Sequence, residues 1–376
     1  MKKVLIIGAG VSGLTTAHCL AEAGHKVLVL SKEFSPNITS NVAGALWEWP
    51  PAVCGYHSDL VSLERSKEWC MTSYDKFYQL AKEKGTGVYI KEAFFFFRSL
   101  VNDDDFQLKK MNEIRDNTKG FSHDASFIEK EGINPNIGLV DAYRYEAPMV
   151  DTDTYMKWIM EQVLSLGVEV VQGEINLELA SIEKELKEKY NCDYIINCSG
   201  LGSIKLANDE MHPLRGALVR IKNNGVKFPI LDKAYCVSFD QKTQEQNIVF
   251  IVPRGEDRVI LGALAEEDEW DKNINLENYE PIREMFRRCK EFLPILKDVE
   301  LDEKEPVRVG LRPLRKGNVR LDWEGDYSSI IHNYGHGGSG VTFSWGCAEE
   351  VVAMIANRVH HEKKLSESLT DSERIM

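Results

Sequence analysis

The run VLIIGAGVSGL at positions 4–14 restricts the fold more than any other stretch of the chain. Residues 4–7 are wholly apolar, as a strand buried on both faces requires. Gly8, Gly10 and Gly13 follow at once in G-x-G-x-x-G spacing. Residues 15–23 then read as a helix that stops at Gly24, and 26–30 as the next strand. In such a turn the first glycine makes the bend and the second admits a pyrophosphate close to the backbone. The third lets the helix pack on the sheet, and the helix N-terminus faces the phosphate charge. A glycine match alone is weak, but the strand–turn–helix–strand context predicts a Rossmann-like nucleotide site. Two lysines ahead of an apolar run also resemble a secretory leader; glycines at fingerprint spacing favour the folded reading.

One position departs from the pattern. The second strand should end in an acid for the ribose, yet Leu30 is followed by Ser31 and Lys32, with Glu33 one step further on. An NADP reading through Lys32 has weaker support.

A second glycine cluster stands near the far end of the sequence. The segment HNYGHGGSGVTFSWGCAEE, 332–350, places Gly335, Gly337, Gly338 and Gly340 within six residues, ahead of a helix expected over 342–359. A nicotinamide cofactor needs one such turn. FAD is longer: its pyrophosphate takes the first turn, and its isoalloxazine needs a second helix N-terminus to accept charge at the reduced ring.

Between the two clusters the pattern changes twice. TSNVAGALWEWPP (39–51) is a small-residue turn ending in aromatics and prolines. Residues 53–147 hold a helix near 62–84 and a buried strand at 94–97, with NDDDF (102–106) as a solvated loop. Thr152 or Asp153 caps a helix with apolar residues at 155, 159, 163 and 166. Strands at 168–173 and 193–200 and a charged helix at 181–190 restore the α/β alternation. From 215 to 264 the chain reads as antiparallel strands, followed by a helix around 282–292. The expected fold is α/β: a Rossmann-like domain from 1–52, 148–214 and 308–360, with an inserted, mostly antiparallel domain from 53–147 and 215–307. Residues 361–376 form a polar tail.

The net charge of −13 argues against sequence-independent nucleic-acid binding. No run of eighteen apolar residues offers a membrane span. Eight scattered cysteines without C-x-x-C, and without histidines at metal spacing, suggest a reducing compartment and no metal site; cytoplasm is the expectation.

GAGVSGL, SNVAGALW, DYIINCSG, HPLRGALVRI, VGLRPLR with VRL, and IHNYGHGGSGVTFSWGCA resemble the D-amino-acid oxidase family, in order and along nearly the whole chain. That resemblance implies non-covalent FAD and a role in amino-acid degradation. The implied reaction oxidises a D-amino acid to an imino acid, which hydrolyses to a 2-oxo acid and ammonia, while oxygen becomes hydrogen peroxide. Substrate and oxygen are the implied partners, and a homodimer stays open. By resemblance FAD is held by Ala9, Gly10, Val11 and Ser12, by Lys32 and Glu33, and by Thr39, Ser40, Gly44 and Leu46. Ile175, Ser199, Gly337, Gly338, Gly340 and Thr342 complete the set.

Arg312 is the expected clamp for the substrate carboxylate, a task that suits a planar guanidinium. Gly338 matches the glycine whose carbonyl orients the amine; a surface salt bridge is the weaker reading of Arg312. If the amine binds neutral no protein base is required, and catalysis is positioning and electrostatics.

The match fails at two substrate positions. Phe250 and Gln246 stand where relatives carry tyrosines, which removes at least one hydrogen bond to a charged group, worth roughly 1.5–3 kcal/mol. Tyr235 is a candidate substitute. Glu48, beside Leu46, falls where the family lines the pocket; it could favour a basic D-amino acid, or be a solvated or internally paired rim residue. The alternatives are an oxidase or dehydrogenase of glycine, sarcosine or another secondary amine, and a non-catalytic flavin-binding protein.

Overall fold

The computed structural model describes residues 1–51, 57–237, 248–262 and 264–374, with side chains as far as 360. Lys3–Ile7 is the centre of a six-stranded sheet. It pairs in parallel with Lys26–Ser31 on one side and Tyr194–Asn197 on the other. Glu169–Gln172 and Ile330–Tyr334 extend this sheet in parallel, and Arg320–Trp323 closes it antiparallel. Helices Val11–Glu22, Thr152–Ser165, Leu60–Leu80 and Gly340–Arg374 cover one face. The other face packs a smaller cluster of Leu5, Ile7, Leu30, Ile195 and Leu186 of the helix Glu183–Tyr190. Both faces are dry, which explains why the strand residues read as unbroken apolar runs.

A nine-stranded sheet holds the antiparallel segments. Val88–Phe97 pairs with Asp141–Val150 and, in parallel, with Ala234–Val237; Val249–Arg254, Arg258–Gly262 and Met211–Lys222 follow in order. Val307–Arg315 joins the same sheet, pairing along its own full length with residues 211–219 and setting Arg312 opposite Leu214 and Gly310 opposite Gly216. The period of two divides the phenylalanine run: Phe95 and Phe97 face the larger core, whereas Phe94 and Phe96 pack with Tyr235 and Phe292 on the other side. There the helix Glu280–Phe292 buries Ile282, Met285, Cys289 and Phe292.

Three local expectations are corrected. Asp151, rather than Thr152 or Asp153, caps the helix Thr152–Ser165, accepting from the Asp153 amide. The acids of 102–106 are more than a solvated loop: Asp104 accepts from the amides of Phe106 and Gln107 and so starts the helix Asp105–Asn117. The last helix begins at Gly340 and runs to Arg374, well past 359.

Candidate active site

The two glycine turns, more than three hundred residues apart in sequence, touch. Ser12 Oγ, in the first turn of Val11–Glu22, lies 3.5 Å from His336 Nδ1, between the glycines of the second cluster. His336 is buried, and burial alone pushes its pKa down to about 4, so the ring is neutral at pH 7. Asn333 donates through Nδ2 to Thr16 Oγ1 at 3.2 Å, leaving Oδ1 to accept from His336 Nε2 at 3.1 Å. That tautomer leaves Nδ1 as the acceptor for the Ser12 hydroxyl.

The first turn is a cradle that side chains would fill. Gly8 has φ +108°, and a Cβ there would stand 2.5 Å from the Cys198 carbonyl oxygen. A Cβ on Gly13 would stand 2.0 Å from the Gly8 carbonyl oxygen, so helix and strand meet backbone to backbone. Gly10 caps the helix, and the Val11 amide donates to Ser40 Oγ at 2.9 Å. Ser40 is thus already at the helix N-terminus, where an anionic phosphate is favoured. Ser31, at the strand end expected to carry an acid, has a role not anticipated from the sequence. Its hydroxyl accepts from the Ala9 amide at 3.1 Å and donates to the Glu33 carbonyl at 2.7 Å, tying the first turn to Glu33.

In the second turn Gly335 and Gly337 have φ +83° and +55°. Gly338 is exposed, whereas Gly337, Ser339 and Thr342 around it are buried. A Cβ on Gly340 would meet Val11 Cγ1 at 3.9 Å, so both helix N-termini converge on one place.

Residues 39–46 run between the sheets and are held from both sides. Thr39 Oγ1 donates to the Leu311 carbonyl, and a Cβ on Gly310 would stand 2.9 Å from Val42 Cβ. Arg308 reaches the Asn41 carbonyl and pairs with Asp153. Arg254 donates to the carbonyls of Ala43 and Gly44. Leu46 is buried in a bridge to Met149.

Arg312 lies two residues along its strand from Gly310, on the side that meets Val42 of this segment. Its Nη1 donates to the Leu264 carbonyl at 3.1 Å, and its guanidinium crosses the backbone of Gly216. The neighbouring Arg215, Arg220, Arg308, Arg315 and Arg320 each meet a carboxylate. Among the described residues Arg312 has none, which is the property a carboxylate clamp needs. It is half-buried, and no salt bridge among the described residues holds it.

The remaining expected residues scatter around this centre. Phe250 is on the same face, its ring edge against Gly44: a Cβ on Gly44 would stand 2.8 Å from its Cε1 and Cζ. Tyr235 faces the opposite way, its hydroxyl donating to Glu131 at 3.0 Å, because it precedes Cys236 and so points to the other side of the strand. It cannot replace the missing tyrosine. Gln246 lies outside the described residues. Lys32 is exposed and pairs with Glu174 at 3.0 Å, bracing 173–175, including Ile175, against the second strand. Ser199 gives its hydroxyl to Asn197 at 2.7 Å and caps the turn Gly200–Gly202, beside Pro313.

Glu48 is half-buried, and burial raises its carboxyl above the usual range against the opposing pull of Lys110. Its charge is felt by the buried phenols of Tyr143 and Tyr145 and by Cys236. Lys110 itself donates to the Pro51 carbonyl at 2.8 Å.

Among the described residues no His, Cys, Asp and Glu group could hold a metal. The residues present do fit a long dinucleotide: a glycine cradle at one helix N-terminus, a second glycine turn at another, and a pinned backbone segment between. This is the architecture of a flavin-dependent oxidoreductase.

Comparison with known proteins agrees. The chain matches the FAD dependent oxidoreductase (DAO) family over residues 3–354. It is 31% identical to a D-amino-acid oxidase from Rubrobacter xylanophilus, covering 94% of this chain and 95% of that one. It is 32% identical to a D-amino-acid oxidase from Streptomyces coelicolor, covering 94% and 96%. Among solved structures, a glycine oxidase from Bacillus cereus superposes with a TM-score of 0.71 at 19% identity, covering 95% and 96%. The chain belongs to the D-amino-acid oxidase family of FAD-dependent oxidoreductases.

Proposed function

We propose that this protein oxidatively deaminates a D-amino acid, with oxygen as the electron acceptor. The observation that carries the reading is Arg312: a half-buried guanidinium without a carboxylate partner among the described residues, on the same side of its strand as Gly310, which abuts Val42 of the segment 39–46. FAD supplies the two-electron acceptor when bound. Gly8, Gly10, Gly13, Ser12 and Ser40 would hold its pyrophosphate, and residues 44–46 with Gly337, Gly338 and Thr342 would border the ring. Arg312 binds the substrate carboxylate and fixes one end of the molecule. Gly338, exposed at its turn, offers its carbonyl to the amine. With both ends fixed, the α-hydrogen is oriented without a protein base, and the rate comes from positioning.

Phe250 does not supply the hydroxyl that relatives place there, so the clamp rests more heavily on the guanidinium. We assign Glu48, with Tyr143 and Tyr145, to the side-chain end of the pocket. An ionised Glu48 favours a basic D-amino acid in a partly dry site, and Lys110 behind it limits that preference. The seven described cysteines are unpaired, in keeping with a reducing compartment such as the cytoplasm. No helix is long and apolar enough to cross a membrane among the described residues.

The test is hydrogen peroxide release from single amino acids. The reading expects turnover of one or more D-enantiomers and none of the L-forms. Turnover of glycine or sarcosine with no D-amino acid oxidised would replace it with the secondary-amine reading, and dye reduction without peroxide would make the protein a dehydrogenase.

A further inference from the structure

Arg254 ends the strand Val249–Arg254, on the same face as Phe250. It is buried, with 6% of its surface exposed. Nη1 donates to Thr152 Oγ1 at 2.7 Å, and Nη2 to the carbonyls of Ala43 and Gly44 at 2.7 and 3.0 Å; among the described residues Nε has no partner. All three acceptors are neutral. Among the described residues no carboxylate lies within ion-pair distance, although nearby Arg220 and Arg308 meet Asp302, Glu305 and Asp153. Asp151 and Asp153 act on Arg254 only from a distance, against Arg220 and Arg308, and burial pushes its pKa down to about 10. Burying a cation without a counterion is costly, so its retention calls for a compensating use.

The acceptors show what that use is. In a trans peptide the carbonyl and the next amide point in opposite directions. Carbonyls of Ala43 and Gly44 drawn to Arg254 therefore turn the amides of Gly44 and Ala45 away from it. Leu46 bridges Met149 through its neighbours' bonds, Val150 N–H to the Ala45 carbonyl and Trp47 N–H to the Pro148 carbonyl, so its own amide also points away from that strand. The amides of Gly44, Ala45 and Leu46 donate to no described group. The first two turn away from Arg254 and the third away from the strand Asp141–Val150, so three consecutive donors without a described acceptor stand in the segment that Ser40 ties to the first glycine turn.

We propose that Arg254 is a positioning residue for the flavin ring: it pins the Ala43 and Gly44 carbonyls so that the amides of 44–46 face the isoalloxazine, and its charge favours the ring's reduced state. This extends the family assignment and does not depend on which amine is oxidised. Its readouts need no amino acid, so failure of the D-amino-acid reading would leave them intact.

The experiment compares FAD-loaded wild type with Arg254→Met and Arg254→Lys. It measures FAD dissociation by fluorescence, the two-electron reduction equilibrium against a reference dye, and thermal stability. Arg254→Met is expected to shift the reduction equilibrium at least tenfold towards the oxidised form, about 30 mV for a two-electron couple. Arg254→Lys, with the charge but without the fork, is expected to stay within threefold in reduction and to bind FAD several-fold more weakly. Should Arg254→Met not fold, Arg254→Gln is measured in its place against the same criteria. A neutral variant that loses thermal stability but keeps both the reduction equilibrium and FAD affinity would make Arg254 a brace and overturn the proposal.

Discussion

A Cβ on Gly216 would stand 2.4 Å from Nη1 and 2.5 Å from Nη2 of Arg312, so the guanidinium crosses the neighbouring strand only because that position carries no side chain. The clash is with the far end of a flexible side chain. Gly216→Ala is therefore expected to fold and to displace the guanidinium. KM for the amino acid should rise about ten- to hundredfold, the loss of about one charged hydrogen bond, with FAD affinity unchanged. Substrate titration and flavin fluorescence together check this; an unchanged KM would remove Arg312 from the substrate site.

Gly44 and Phe250 form a second close pair. Gly44→Ala forces the ring edge to move and is expected to destabilise the protein by about 1–3 kcal/mol while weakening FAD binding. Phe250→Leu removes the obstructing edge. The double variant should recover most of the stability lost by Gly44→Ala, a coupling measurable by denaturant unfolding in a double-mutant cycle. Strict additivity would show that the two residues do not press on each other.

Acid should loosen the junction of the two glycine turns. The pKa of His336 lies below its unfolded value, so the unfolded chain takes up the proton first. The stability contribution is complete above about pH 6.5 and declines as pH falls towards 4. Between pH 8 and pH 5 the expected loss from this one residue is about 2 kcal/mol. His18 and His332, also held down by burial, add to it in the same direction. His336→Asn should flatten the dependence seen in urea midpoints; a slope identical to wild type would assign it elsewhere.

Glu48→Gln separates charge from shape at the outer end of the pocket. The expected result is a loss of about tenfold in kcat/KM for basic D-amino acids relative to neutral ones, because the substitution removes only the charge. Equal effects on both classes would leave Glu48 a structural residue.

Much of the framework was legible in the sequence, since the strand–glycine–helix motif is local and each of its parts has a local cause. The second glycine cluster was legible for the same reason, and its contact with Ser12 fits the need of a long cofactor for two helix ends. What the sequence concealed was cross-strand geometry. Nothing in the order of residues shows that Arg312 lies over Gly216, or that Tyr235 points away from the site while Cys236 points towards it; a shift of one residue in register exchanges the two faces. Ser31 was hidden because a lone serine carries no motif signal: its two hydrogen bonds tie the Ala9 amide to the Glu33 carbonyl, a bracing role different from the ribose contact expected of an acid there. Arg254 carried no motif signal, and only its lack of a carboxylate partner among the described residues draws attention to it.

The most direct measurement is the visible spectrum of the FAD-loaded protein, mixed without oxygen with separate D- and L-amino acids and with sarcosine. The account predicts that the flavin absorbance bleaches with D-enantiomers, including a basic one, and that Arg312→Met abolishes the bleaching at the same concentrations while retaining FAD. Bleaching by sarcosine or an L-amino acid with none by any D-form, or full bleaching of Arg312→Met at wild-type concentrations, would contradict it.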